Sequence, residues 1–184
     1  MKKSNASYLG AWLLAVGLAF GLAFASPNEA SVMGRLPAFM SQTLLRKPVA
    51  IPDGLPADRT LALITFQRGQ VPQIQSWIDG LNLKNDHSIS WVRLSVRNDP
   101  GTPAGRTEFE TKLLNHYKAD EERAKLLPVF TDQDDFVRGA GLASINQVSV
   151  VVVNRQGDIL ARAEGGFNAD KASALLETLK SHSF

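Results

Sequence analysis

Residues 64–77, ITFQRGQVPQIQSW, carry the pattern that decides the fold of this 184-residue chain. They continue an apolar run at 60–66, which is typical of a strand buried on both faces of a sheet. After a polar loop, apolar residues recur at the spacing of one helical face: Val71, Ile74, Trp77, Ile78 and Leu81. Pro72 is tolerated in the first turn of such a helix. The stretch therefore predicts a buried strand, a short loop and a helix that packs on the sheet.

The rest of the chain alternates strands and helices in the same way. Further strands are predicted at 88–96, 127–131, 148–154 and 159–164. Helices are predicted to begin at three capping residues: Thr107, Thr131 and Asn168. This order predicts an α/β domain at 59–184, with a central, mostly parallel sheet, flanking helices and a C-terminal antiparallel β-hairpin. Residues 26–58 lack a sustained period, and we expect them to form an exposed N-terminal arm with one short strand at 48–51.

The N-terminus has the three parts of a secretory signal peptide. Lys2 and Lys3 form a basic start, residues 8–25 are uncharged and mostly apolar, and Ala23-Phe24-Ala25 is a small-x-small cleavage pattern. We expect residues 1–25 to be the signal peptide and the mature protein to be periplasmic. The alternative is a retained membrane anchor, since about 18 apolar residues lie near the lower limit for a spanning helix.

Composition excludes several classes of function. Without Lys2 and Lys3, 18 of the 20 basic residues remain, against 18 acidic residues, so the mature chain is formally neutral. A neutral chain gives no electrostatic reason to expect a nucleic-acid partner, and we expect membrane contact only through a retained N-terminal segment. The chain has no cysteine. This absence excludes thiol–disulfide exchange, thiol peroxidase chemistry, cysteine metal ligands and a lipoprotein anchor.

The order of elements and two local motifs resemble the thioredoxin-like superfamily, in particular the branch of peroxiredoxins and exported thiol-disulfide oxidoreductases. In that branch a strand ending in Phe is followed by a loop and by Cys-x-x-Cys at a helix start. Phe66 followed by Val-Pro-Gln-Ile at 71–74 is similar, and the apolar strand and glycine turn at 149–157 are similar to a later motif. Residues 107–131 would be the helix–strand unit that extends the core of this branch. The resemblance covers roughly 32–181 and implies a thioredoxin-like fold.

The resemblance implies a degenerate active site with no catalytic residue. Val71 and Ile74 fall on the two cysteine positions of the family, and Val148 falls on the position of its cis-proline. Aliphatic side chains cannot use the N–H groups and the dipole at a helix start, which stabilise a thiolate. We expect the peptide bond before Val148 to be trans. Peptide binding in the manner of the family is therefore not expected either.

The polar loop beside these positions is the candidate binding face. It consists of Gln67, Arg68, Gln70, Pro72 and Gln73. The alternative is a simple connecting loop. We expect a non-catalytic exported protein that binds a periplasmic or inner-membrane protein, as an assembly factor, adaptor or regulator.

Two other functions are kept as alternatives. The first is an enzyme or metal-binding protein, which requires four side chains to converge in one cleft: Asp86, His87, Asp99 and Asp132. The acidic residues at 132–135 are also explained by the helix dipole, and the three histidines lack the spacing of a metal site. We predict neither a metal nor a cofactor. The second alternative is a degenerate domain with a purely structural role.

Overall fold

The computed structural model describes residues 32–181. The strands in this part of the chain are β1 (Phe39–Gln42), β2 (Pro48–Ile51), β3 (Arg59–Thr65), β4 (Trp91–Arg97), β5 (Leu126–Phe130), β6 (Ser149–Asn154) and β7 (Ile159–Glu164). The α-helices are α1 (Val71–Gly80), α2 (Pro103–His116), α3 (Asp120–Lys125), α4 (Gln133–Gly139) and α5 (Ala169–Lys180), and a 3₁₀ turn at Arg68–Gln70 leads into α1. The predicted signal peptide lies outside the described residues. Between residues 32 and 181, no helix is both long enough and apolar enough to cross a membrane.

Five strands form the central sheet in the order β5-β4-β3-β6-β7. β3, β4 and β5 are parallel, and β6 lies antiparallel between β3 and β7, so four of the five strands share one direction. The β6–β7 pair is the predicted C-terminal hairpin. β1 and β2 form a separate antiparallel sheet. The structure confirms the predicted α/β class, the mostly parallel sheet and the closing hairpin.

Apolar side chains alternate along the central strands and divide the core between the two faces of the sheet. In β3, Ala62 and Ile64 face one layer, Leu61 and Leu63 face the other, and all four are fully buried. Residues of α4 and of the segment before β3 cover the first face, and α1 and α5 cover the second. Because both faces are covered, β3 has a continuous apolar sequence. Its carboxyl end directs the chain into the loop that precedes α1.

Residues 32–58, predicted to be an exposed arm, take part in the core. Leu36, Ile51 and Leu55 are 2–3% exposed and pack against the first face of the sheet. Arg35 reaches the β6–β7 turn, where its guanidinium lies 2.8 Å from the carboxylate of Asp158. The strand predicted at 48–51 is present as β2, but its partner β1 was not predicted. The segment is therefore not an exposed arm throughout, because several of its apolar residues are buried on the sheet although they follow no regular period.

Two helices begin at residues other than those indicated by the capping patterns. The cap of α2 is Thr102, whose hydroxyl accepts a 3.2 Å hydrogen bond from the N–H of Gly105. The predicted cap, Thr107, lies inside that helix. Thr102 prevails because Pro103 follows it, and proline has a backbone angle suited to the first helical position. α4 begins one residue later than predicted, because Asp132 supplies its cap.

Candidate functional site

Two of the three positions that the resemblance assigns to a degenerate active site lie at the carboxyl end of β3, where the chain enters α1. Val71 is the first residue of α1, and Ile74 lies in its first turn, as the spacing predicted. Val71 is half-buried, whereas Ile74 is fully buried between α1 and the sheet. Neither side chain can transfer a proton, bind a metal or exchange electrons. The start of this helix therefore presents only aliphatic carbon at the two positions.

The third degenerate position, Val148, lies against the same helical turn. It is fully buried and belongs to the same apolar cluster as Ile74. Its backbone N–H donates a 3.5 Å hydrogen bond to Oε1 of Gln73. The peptide bond before Val148 is trans, and among residues 32–181 the cis bond is Ile51–Pro52. Val148 and the first turn of α1 are thus neighbours in space although they are distant in sequence.

Gln70 joins the two segments of this site from inside the protein. Its side chain is 3% exposed. Its Oε1 accepts hydrogen bonds from the backbone N–H groups of Phe66 at 2.7 Å and Gln67 at 3.1 Å, and its Nε2 donates to the carbonyl of Ile145 at 2.7 Å. Losing these bonds would leave buried backbone groups unpaired, which is costly. Gln70 therefore connects the two segments of the site from inside. The prediction that it belongs to the exposed binding face is wrong, because its side chain is buried.

A second glutamine, Gln133 at the start of α4, ties the ends of β3 and β4 together. Its Nε2 donates to the carbonyls of Phe66 and Val96, both at 2.9 Å. Its backbone N–H donates to Oδ1 of Asn98 at 3.0 Å. The role of Gln133 is not visible in the sequence, because these partners are 35 to 67 residues away. The sole local signal was a polar residue directly after a helix cap, and such residues are usually solvated.

The exposed part of the predicted binding face is smaller than the sequence suggested. Gln67, Arg68 and Pro72 are exposed. Gln73 is half-buried, because its amide oxygen faces the backbone of Val148. The side chains of Gln70 and Gln73 thus point inward. The exposed residues that remain lie on a backbone that hydrogen bonds from Gln70 hold in place.

The residues of the alternative enzyme or metal site do not converge. Asp86 and His87 precede β4 and Asp99 follows it, so roughly 20 Å of strand separates them. Asp99 accepts hydrogen bonds from Arg106, which lower the pKa of that carboxyl group. Asp132 is occupied as the cap of α4. In the part of the chain that the structure describes, no three His, Asp or Glu side chains are grouped so that they could hold a metal ion.

Comparison with known proteins identifies the architecture. No protein-family model and no curated protein matches the chain. A structure of BsSco, a member of the Sco family of cytochrome c oxidase assembly proteins, is similar with a TM-score of 0.53 and 16% identity, over 79% of this chain and 91% of that one. The exposed lipoprotein thioredoxin Etrx1 from Streptococcus pneumoniae strain TIGR4 is similar with a TM-score of 0.51 and 14% identity, over 78% and 98%.

A thiol-disulfide oxidoreductase from Bacteroides fragilis NCTC 9343 is also similar, with a TM-score of 0.51 and 13% identity, over 79% of this chain and 98% of that one. At such identities the likeness concerns the fold alone. The sheet order and the closing hairpin agree with it. The chain therefore has a thioredoxin-like fold, and it carries no cysteine with which to perform the chemistry of the thiol-disulfide oxidoreductase that shares this fold.

Proposed function

We propose that this protein is a non-catalytic, exported thioredoxin-fold protein that acts by binding another protein, as an assembly factor, adaptor or regulator. The observation that carries the proposal is the internal closure of the degenerate site. Ile74 and Val148 fill its interior with aliphatic carbon, and the amide of Gln70 joins its two segments. The aliphatic side chains at these positions provide no nucleophile, acid, base or metal ligand.

The same closure argues for binding through side chains. A peptide that adds to a loop needs free backbone N–H and C=O groups. Here the carbonyl of Ile145 accepts from Gln70, and the N–H of Val148 donates to Gln73. These two backbone groups are thereby engaged within the protein. What remains on the outside is a braced surface of exposed polar side chains, and a rigid support favours selective contacts.

Two of the similar structures support the cellular role that we propose. One is described as a member of a family of cytochrome c oxidase assembly proteins, which is a precedent for assembly work on this fold. Another is described as an exposed lipoprotein, a precedent for a location outside the cytoplasm. The basic and apolar pattern of residues 1–25 adds the argument for export. Fold alone does not specify function, so the partner has to be identified by experiment.

Site-specific photo-crosslinking in living cells tests the proposal. A photoreactive residue is placed at Arg68, at Pro72, and at Asn85 as the control, because Asn85 is also exposed but lies in the loop before β4, at the other end of the sheet. We expect the same protein to be captured from positions 68 and 72 and not from 85.

Charge reversal of the face provides a second readout. R68E should reduce capture from position 72 several-fold if the cation contributes to the contact. Absence of a reproducible adduct from both test positions, or equal capture from position 85, would contradict the proposal. That result would favour the purely structural alternative.

A further inference from the structure

A cavity beside the degenerate site collects positive charge. It has a volume of about 320 Å³ and lies between α2 and the adjoining face of the sheet. We call it the cationic cavity. Its lining includes Arg68, Arg93, Arg97, Lys112 and His116 and contains no Asp or Glu. An ordinary surface of a nearly neutral protein mixes both signs of charge, so this segregation calls for a physical explanation.

The cavity exists because one face of β4 is polar beneath a helix that does not bury itself. Arg93, Ser95 and Arg97 occupy alternate positions of β4 and therefore point to the same side of the sheet. α2 has no fully buried residue. If this face of β4 were aliphatic, burial of apolar surface would favour close packing of α2 against it. The sequence carries a signal for this face, because Arg93, Ser95 and Arg97 alternate with the apolar residues of β4.

Arg93 is the deepest charge in the cavity. It is 6% exposed, and its guanidinium lies 4.8 Å from the centre of the Tyr117 ring. Burial lowers the pKa of Arg93, while Tyr117 and Glu122 act in the opposite direction. Glu122 forms its own ion pair with Lys84 at 3.1 Å. Within residues 32–181, no carboxylate forms a salt bridge with Arg93.

Among the other cations, Arg97 forms no salt bridge with a carboxylate within residues 32–181, whereas Lys112 forms one. Arg97 is half-buried over the ring of Phe109, at 5.2 Å from its centre. Burial lowers the pKa of Arg97, and the neighbouring charge of Arg68 lowers it further. Lys112 is paired with Glu108 at 2.6 Å, and both side chains are largely exposed. Like charges placed together in a partly dry site are unfavourable, and a bound anion would relieve this.

The larger cavity nearby differs in character. It has a volume of about 1060 Å³, lies around the amino ends of β4 and β5, and shares Arg93 with the cationic cavity. Its lining combines several lysines with Asp86, Glu121 and Glu122. Mixed charges of this kind do not select an anion. The smaller cavity, whose lining contains no Asp or Glu, is therefore the one that favours an anion.

We propose that the cationic cavity binds a small organic anion through its phosphate or carboxylate group, with Arg93 and Arg97 as the principal contacts. Guanidinium groups match the paired oxygens of these anions and are less strongly hydrated than ammonium groups. The cavity is at the small end of the usual range for ligand pockets, about 300–1,000 Å³. Phe109 and Leu113 contribute apolar wall to it, which suits a compact apolar body.

Titration of the purified full-length chain tests this inference independently of any protein partner. The probes are phenyl phosphate, benzoate and inorganic phosphate, each measured by calorimetry at an ionic strength held constant with potassium chloride. We expect saturable one-to-one binding of phenyl phosphate or benzoate, with weaker binding of inorganic phosphate because it lacks the apolar body. The preferred probe distinguishes a phosphate ligand from a carboxylate ligand. Failure of all three probes to bind saturably would overturn the proposal.

Variants locate the binding. R97Q should raise the dissociation constant at least tenfold, and R93Q should do the same if it folds, as judged by circular dichroism. R97Q is decisive because Arg97 is half-buried and belongs to none of the apolar core clusters, so its loss should leave the core intact. R138Q is the matched control: Arg138 is exposed on α4, a helix that packs on the other face of the sheet, and its variant should bind within twofold of the original. Equal weakening by R97Q and R138Q, or none by R97Q, would overturn the assignment. A negative result of the photo-crosslinking experiment would contradict the proposed protein binding and would not affect the proposal that the cationic cavity binds an anion.

Discussion

At the scale of single residues, Gln70 links the two segments of the candidate site. In the sequence, a glutamine in a polar loop just before a helix looks like a surface residue. In the structure its one amide serves three backbone groups, two before it in the chain and one in the loop that precedes β6. The identity of the residue therefore matters through hydrogen bonding and not through contact with a partner.

We predict that Q70L lowers the free energy of unfolding by about 3 kcal/mol. Leucine has a similar volume but leaves the N–H groups of Phe66 and Gln67 and the carbonyl of Ile145 without their partner, and each unpaired buried group costs about 1–3 kcal/mol. Urea unfolding followed by circular dichroism measures the change.

The matched control for this prediction is Q75L, in the helix α1 that follows the 3₁₀ turn of Gln70. The amide of Gln75 bonds to the carboxylate of Asp79 at the surface, so its loss should change stability by about 0.5 kcal/mol or less. If Q70L and Q75L were equally mild, the buried amide would not be the brace that we describe.

At the scale of elements, α1 keeps the electrostatic character of a helix start although no thiol uses it. The first backbone N–H groups of a helix and its dipole favour negative charge. Val71, the first residue of α1, also lines the cationic cavity together with Arg68 and Arg97. The field is therefore expected to persist at the start of α1, although the chain has a valine there.

We predict that the thiol of V71C has a pKa at least about one unit below the usual value of about 8.5. The reason is that a thiolate at this position is stabilised by the helix start and by the neighbouring arginines. The pH dependence of the alkylation rate with iodoacetamide gives the pKa.

Q75C is the control, because position 75 lies one turn further along the same helix, away from its N-terminus. Its thiol should titrate near the ordinary value. Indistinguishable pKa values for V71C and Q75C would contradict the view that the helix start retains its field.

The boundaries of elements show what local patterns can and cannot predict. The strand–loop–helix unit at 60–81 was predicted correctly, because a buried strand and an amphipathic helix have strong periodicities. The start of α2 was not, because Thr102 and Thr107 both carry local capping signals and the hydrogen bond to Thr102 decides between them. Local patterns identify elements better than they identify their ends.

At the scale of the whole molecule, the segment 32–58 belongs to the folded unit. We predict that L36A lowers the free energy of unfolding by about 2–5 kcal/mol, the usual cost of removing a buried leucine side chain from a core. Urea unfolding of the full chain measures the effect. Leu36 is 2% exposed, in contact with residues of the central sheet layer.

M40A in β1 of the same segment is the control. Met40 is 72% exposed, so its loss should change stability by about 0.5 kcal/mol or less. An effect of L36A as small as that of M40A would mean that the segment is not part of the cooperative unit.

The sequence by itself determined the fold class, the order of most elements and the absence of thiol chemistry. These depend on local periodicity and on composition, and no tertiary contact can supply a missing sulfur atom. The same reasoning placed Val71 and Ile74 in the first turn of α1, because a strand followed by an amphipathic helix leaves little choice of position.

Only the tertiary structure decided which polar side chains of the site face inward and where positive charge collects. Gln70 and Gln133 find their partners up to 75 residues away, and Arg93 and Arg97 share a cavity with residues of α2 and of the loop before α1. The physical reason is that hydrogen bonds and charges act over a few ångströms in space. The spacing of residues along the chain does not show which of them will lie that close. The sheet and its crossover connections bring them together.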